Sequence, residues 1–197
     1  MVAFIRSFYV DWDDAHCNDL LHRFRLSDSD AIGTLSTGSK MKLNFVVAMA
    51  HRPAVLLLDD PLIGLDPLAK HEVFKEMMEA VRDESRTVFI SSHNLDELER
   101  YADHIGLIDD GRMRLEGPTV ELVDRFKMMD CTAGSGFGPP SRAMNGVYVQ
   151  KQDQDRVRVL VDTLIASHEK LEYYGLAVNH TAPVTLEEIY VGLMRRG

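Results

Sequence analysis

Apolar residues recur at helical spacing in the first part of the chain. Cys17, Leu20, Leu21 and Phe24 share one face of a helix that Asp13 or Asp14 can cap and that runs to about Leu26. Residues 1–12 before it are aromatic and irregular, and Ser27–Asp30 breaks it. A second helix is predicted from about Ser39, with Met41, Phe45, Val46, Met49 and Ala50 facing inward, and Arg52-Pro53 stops it. The period then changes. Ala54–Leu58 is an unbroken apolar run of strand length that ends in Asp59-Asp60-Pro61, the pattern of a buried parallel strand with chemistry at its carboxyl end. Pro67 opens a long helix with Ala69, Val73, Phe74, Met77 and Val81 inward. Thr87–Ser91 is a strand ending in Ser92-His93-Asn94, and a helix at Leu95–Ala102 follows. Next come a strand at His104–Ile108, a hairpin turn at Asp110-Gly111, a strand at Arg112–Glu116, and a helix from Pro118 to about Met128.

This alternation predicts an α/β fold with a mostly parallel sheet. Ligands of such sheets lie beyond the carboxyl ends of the strands, where Asp59, Asp60 and His93 stand. Residues 130–146 are rich in Gly, Pro and Ser and read as a linker. Beyond it, Val147–Val149 and Arg156–Val161 are strand-like, Gly175–Asn179 is extended, and Thr185 caps a helix with Leu186, Ile189, Tyr190 and Leu193 inward.

Composition narrows the function classes. The 197 residues suit one domain with a small appendage, and 45% hydrophobic with 27% charged residues excludes disordered and fibrous chains. A net charge of −9 argues against a nucleic-acid partner, whose phosphates need cationic surface. Cys17 and Cys131 form no CxxC and read as reduced thiols of a cytoplasmic protein. No apolar run approaches the length of a membrane span, so a membrane role is expected to be peripheral and to run through a partner.

Four segments stand in a telling order: Leu35-Ser36-Thr37-Gly38-Ser39 at a helix start; Val55–Asp59 followed by Asp60-Pro61; Gly64-Leu65-Asp66-Pro67; and Ser91-Ser92-His93 closing a strand. Together they resemble the signature, Walker B, D-loop and switch-histidine regions of the nucleotide-binding subunit of ATP-binding cassette (ABC) transporters. The resemblance covers residues 4–128 and extends loosely to Met194; Thr185–Leu193 looks like the end of bacterial export-type members. It implies an incomplete P-loop NTPase-like layered fold. Residues 1–129 would be a partial cassette, with a helical signature subdomain at 1–52 and half of the catalytic core at 53–129. Residues 147–197 would be a small α+β appendage.

The resemblance also implies roles. Asp59 would hold Mg²⁺ beside triphosphate oxygens. Asp60 stands where the family has a glutamate that polarises water; it is one methylene shorter, which predicts slow or absent hydrolysis, and it reads equally as a solvated turn acid. His93 would touch the γ-phosphate and orient the attacking water. Ser36 and Gly38 would serve the ATP of a second protomer, through free N–H groups at a helix start. Asp66 would link the two sites of a dimer, and it can also simply cap the helix at Pro67. The implied ligands are ATP and Mg²⁺. The implied partners are a second ATPase subunit and a transmembrane permease subunit at the inner face of the cell membrane.

The P-loop, GxxxxGK followed by Ser or Thr, is absent. Gly33–Lys40 imitates it with the last residues transposed and without a preceding strand. Without that cradle, weak binding of Mg·ATP and no activity in the isolated chain are expected. Two readings stay open. One is a truncated or split ATPase subunit that would energise export. The other is a non-catalytic module that lends its signature face to a complete partner.

Overall fold

The computed structural model describes residues 2–27, 29–82, 86–135, 137 and 144–194. They form two compact units, Met1–His93 and Asn94–Gly197.

The first unit begins with a short helix α1 (Val2–Arg6), where the sequence reads as irregular. Helix α2 (Asp14–Arg23) is capped by Asp13, whose carboxylate accepts from the His16 N–H at 2.8 Å. Helix α3 (Thr37–Met49) has Ser36 as its cap. Strand β1 (Val55–Asp59) and strand β2 (Thr87–Ser91) pair in parallel, with Asp59 opposite Ser91. Helix α4 (Pro67–Val81) connects them. One face of the strand pair carries Leu56, Leu58, Val88 and Ile90. These pack into a core with Val46, Met49, Val73, Phe74 and Met77. Glu76 is buried in α4 and accepts from Arg23 at 2.6 Å. Val55, Leu57 and Phe89 occupy the other face, and they are 59%, 72% and 65% exposed.

The second unit opens with helix α5 (Leu95–Tyr101), followed by an antiparallel hairpin of β3 (His104–Asp109) and β4 (Arg112–Pro118). Asp110 and Gly111 both have positive φ at its turn, as a tight two-residue loop requires. Helix α6 (Thr119–Arg125) leads into β5 (Phe126–Ala133). That strand lies in an antiparallel sheet of order β6-β7-β5-β8, with β6 Val147–Asp153, β7 Arg156–Asp162 and β8 Leu176–Ala182. Helices α7 (His168–Tyr173) and α8 (Leu186–Met194) complete the unit. Leu171 of α7 packs with Val157, Val159 and Val161; Leu186 and Ile189 of α8 pack with Phe126 and Leu160. Gly192 lets α8 lie close to the sheet, because a Cβ there would sit 2.4 Å from Leu160 Cδ2.

The mixed α and β composition holds, but the expected mostly parallel sheet does not, because tight turns such as Asp110-Gly111 join strands of the second unit as antiparallel neighbours. Among the described strands, parallel pairing is confined to β1 and β2; the other strands are joined antiparallel. Two sequence boundaries need correction. The helix expected to reach Met128 stops at Arg125, and Asp130–Ala133, assigned to the linker and placed beyond a boundary at 129, belong to β5. Phe126–Ala133 has no β-branched alternation, and its two methionines and lysine suit a helix; pairing on both sides with β7 and β8 overrides that preference. The middle of the expected linker, Gly136 and Gly138–Ala143, lies outside the described residues. Cys17 and Cys131 are free thiols, and burial pushes both upward in pKa.

Candidate functional site at the strand tips

The parallel pairing of β1 and β2 brings their carboxyl ends side by side, and four residues meet there. The Ser91 hydroxyl donates a short hydrogen bond to Asp59 Oδ1. The next residue, Asp60, has φ +45, a left-handed conformation that short polar side chains tolerate. Its N–H donates to the Ser91 carbonyl at 3.1 Å and to Ser91 Oγ at 3.2 Å. His93 Nδ1 lies 3.1 Å from Asp60 Oδ1 and 3.0 Å from Oδ2. Asp59, Asp60 and His93 therefore share one end of the strand pair, as expected. Ser91, which ties the two acids to β2, is a site residue that the sequence pattern alone does not single out. Its signal lies in the register, since a hydroxyl stands directly across from Asp59 only when the strands pair in parallel.

A second cluster forms at the start of α3. The Ser36 side chain accepts from the Ser39 N–H at 3.1 Å. A Cβ built on Gly38 would lie 3.5 Å from Leu65 Cδ2 and 4.0 Å from the Gly64 carbonyl, both ordinary contacts. The Gly64–Asp66 loop therefore adjoins the α3 entrance. Among the described residues nothing requires glycine at 38. Asp66 caps α4, accepting from the Leu68 and Ala69 N–H groups at 3.0 Å each. The bond from Ala69 is the main reason its carboxyl is held below the usual range, with the Leu68 bond and the Lys42 charge adding to it. Gly33 sits in a short 3-10 turn at Ile32–Thr34 rather than after a strand, which agrees with rejecting that stretch as a P-loop.

Among the described residues no group of three or more His, Cys, Asp or Glu side chains could enclose a metal. Mg²⁺ needs less from a protein. It keeps several waters and takes one or two carboxylates plus substrate phosphates. Asp59 fits as a single anchor of that kind. The strand tips form an open surface; His93 is 73% exposed and Asp60 37%. A groove along α2 and α4, lined by His22, Arg23, Phe24, Glu72, Lys75 and Glu76, contains none of these residues.

No protein-family model matches the chain. It is similar to the ABC transporter ATP-binding protein YtrB of Bacillus subtilis, with 28% identity over 194 residues, 97% of this chain and 65% of that protein. It also matches the Nod factor export ATP-binding protein I of Neorhizobium galegae, at 34% identity over 84% of this chain and 48% of that protein. A solved ATP-binding subunit of an ABC transporter superposes with a TM-score of 0.53 and 31% identity, over 57% of this chain and 47% of that one. The homologues of this chain are ATP-binding proteins of ABC transporters. The chain spans less than two thirds of the length of these ABC relatives. Among its described residues no helix is long and apolar enough to cross a membrane.

Proposed function

We propose that this stretch carries one half of an ABC-type ATP site and serves ATP-driven export. The observation that carries the reading is the meeting of Asp59, Asp60 and His93, through Ser91, at the tips of two parallel strands. Asp59 would hold Mg²⁺, whose chemistry there is to neutralise triphosphate charge. His93 would contact the terminal phosphate. Ser36, Gly38 and the α3 N-terminus would face the nucleotide of a second ATPase subunit, and Asp66 would connect the two sites. The needless glycine at 38 supports a close approach from outside the unit. The phosphate cradle would come from residues outside this stretch, and the uncovered Val55, Leu57 and Phe89 face supports the need for a complementary lobe. A transmembrane permease subunit would place the assembly at the inner face of the cell membrane. The relatives handle different cargo, from Nod factor to bacitracin, so the cargo is set elsewhere.

The second reading, a non-catalytic module that lends its signature face, is favoured by Asp60 in place of glutamate. Both readings predict capture of an intact ABC ATP-binding subunit by the immobilised chain in the presence of Mg·ATP, and loss of capture in Ser36→Arg. Capture indifferent to nucleotide and to that change sinks both. A fluorescent ATP analogue titrated into the chain alone should bind weakly; micromolar affinity with Mg²⁺ would show that no outside cradle is needed. ATP turnover in the captured complex above that of the partner alone separates the first reading from the second.

A further inference from the structure

We propose that the groove between α2 and α4 is a docking site for an acidic peptide segment of a partner protein, with Arg25 at the end of α2 and Lys75 on α4 as its anchors. The groove encloses about 510 Å³, and none of the strand-tip residues lines it. Its own acids are already committed. Glu76 accepts from Arg23 at 2.6 Å, and Glu72 pairs with Lys42 at 2.8 Å. Arg25 and Lys75 are exposed, and among the described residues neither has an ion-pair partner. Two cations on different helices therefore face one groove with their charge unspent.

The backbone at Arg25 supports a contact role. Helix α2 ends in a Schellman motif: the Leu26 N–H donates to the Leu21 carbonyl at 2.9 Å, and the Arg25 N–H to the His22 carbonyl at 3.1 Å. Arg25 fills the left-handed position of that motif, with φ +56, where glycine is the usual residue and a side chain is strained. The helix dipole does not account for an arginine there, because His22 and Arg23 already stand in the last turn. Strain kept at a residue that lines a groove points to a side chain held for contact. The occupant follows from exposure and charge. Bound small molecules normally bury most of their surface, which exposed anchors such as Arg25 and Lys75 do not provide, whereas an extended segment can lie along the groove. The net charge of −9 repels an acidic segment elsewhere, so its capture depends on this local pair of cations. The inference does not rest on the ATP-site reading.

The test is fluorescence anisotropy of a fluorescein-labelled peptide of alternating glutamate and alanine, titrated with the full chain. The same peptide with glutamine for glutamate is the control. The acidic peptide should bind and the control should not. Arg25→Gly should weaken binding about ten-fold, and Lys75→Gln about as much. Arg25→Gly should at the same time raise the urea midpoint, because glycine takes the left-handed position without strain. A variant that is more stable yet binds less well separates docking from folding. Lack of binding by the unaltered chain overturns the proposal, and so does binding that either variant leaves unchanged. A lowered midpoint in Arg25→Gly would give the residue a folding role and overturn it too. Displacement of the peptide by inorganic phosphate at constant ionic strength would assign the cations to a small anion and overturn the peptide site.

Discussion

In the second unit the four-stranded sheet is sandwiched. Leu171 of α7 meets Val157, Val159 and Val161 on one face, while Leu186 and Ile189 of α8 meet Leu160 and Phe126 on the other. In the first unit β1 and β2 receive cover on one face only, from α4 and α3, and Val55, Leu57 and Phe89 stand open on the other. A parallel pair is the kind of sheet that normally has both faces covered. The candidate chemistry therefore sits on a parallel pair whose packing is incomplete, while the four-stranded sheet is covered on both faces. Burying each of those exposed side chains would be worth about 1.5–3 kcal/mol, so the open face is a substantial reserve of binding energy.

The largest test of this contrast compares two phenylalanines. Phe126 is 1% exposed, and Phe126→Ala should cost about 3–5 kcal/mol in urea unfolding followed by circular dichroism. Phe89 is 65% exposed, and Phe89→Ala should stay within about 0.5 kcal/mol. Equal losses would mean that something covers the open face.

Charges sharpen the contrast next. Asp162 is 2% exposed and is held by Arg125 through two bonds, at 2.8 and 2.5 Å. Arg125→Met leaves that buried carboxylate without its cation, with only the Leu164 N–H bond at 3.1 Å, and should cost about 3 kcal/mol. In the first unit Lys42 and Glu72 pair at 2.8 Å nearer the surface. Lys42→Met should cost no more than about 1 kcal/mol by the same measurement. A reversal of that order would show the second unit to be the looser of the two.

The smallest effect is a difference in acid response. Burial holds His16 below the usual imidazole value of 6.5, with the Arg52 charge adding to it, and its Nε2 has no hydrogen-bond partner among the described residues. The unfolded chain then binds a proton that the folded one resists, so the first unit should lose stability as pH falls below about 6.5. Trp12, the one tryptophan, reports on that unit by fluorescence. His16→Phe should flatten the response. In the second unit the bond from Arg158 is the main cause that keeps Asp130 below its usual 3.8. Stability from that pair is present above 3.8 and is lost only as pH falls past it. A first unit indifferent to pH between 7 and about 5 would remove His16 as the cause.

Much of this was legible in the residues. The caps at Asp13, Ser36 and Asp66 and the capping box of Thr185 with Glu188 follow from local chemistry, and the structure places each at its helix start. The strand tips were legible because an apolar run that stops at two acids leaves few options. Phe126–Ala133 was not, since its partners lie 24 to 54 residues away and its own side chains favour a helix. The role of Ser91 was hidden for a related reason. Nothing near it in sequence shows which residue lies opposite; only the pairing does.

That hydroxyl also has a consequence for assembly. Sliding β2 by one position would set Ile90 or Ser92 across from Asp59 and turn Phe89 inward. The inward Phe89 would collide with a core already filled by Met77 and Val73. A shift toward Ile90 would strip Asp59 of its hydroxyl partner, and a shift in either direction would disrupt the interior, so the alignment that folds this sheet is also the one that sets the groups at its edge.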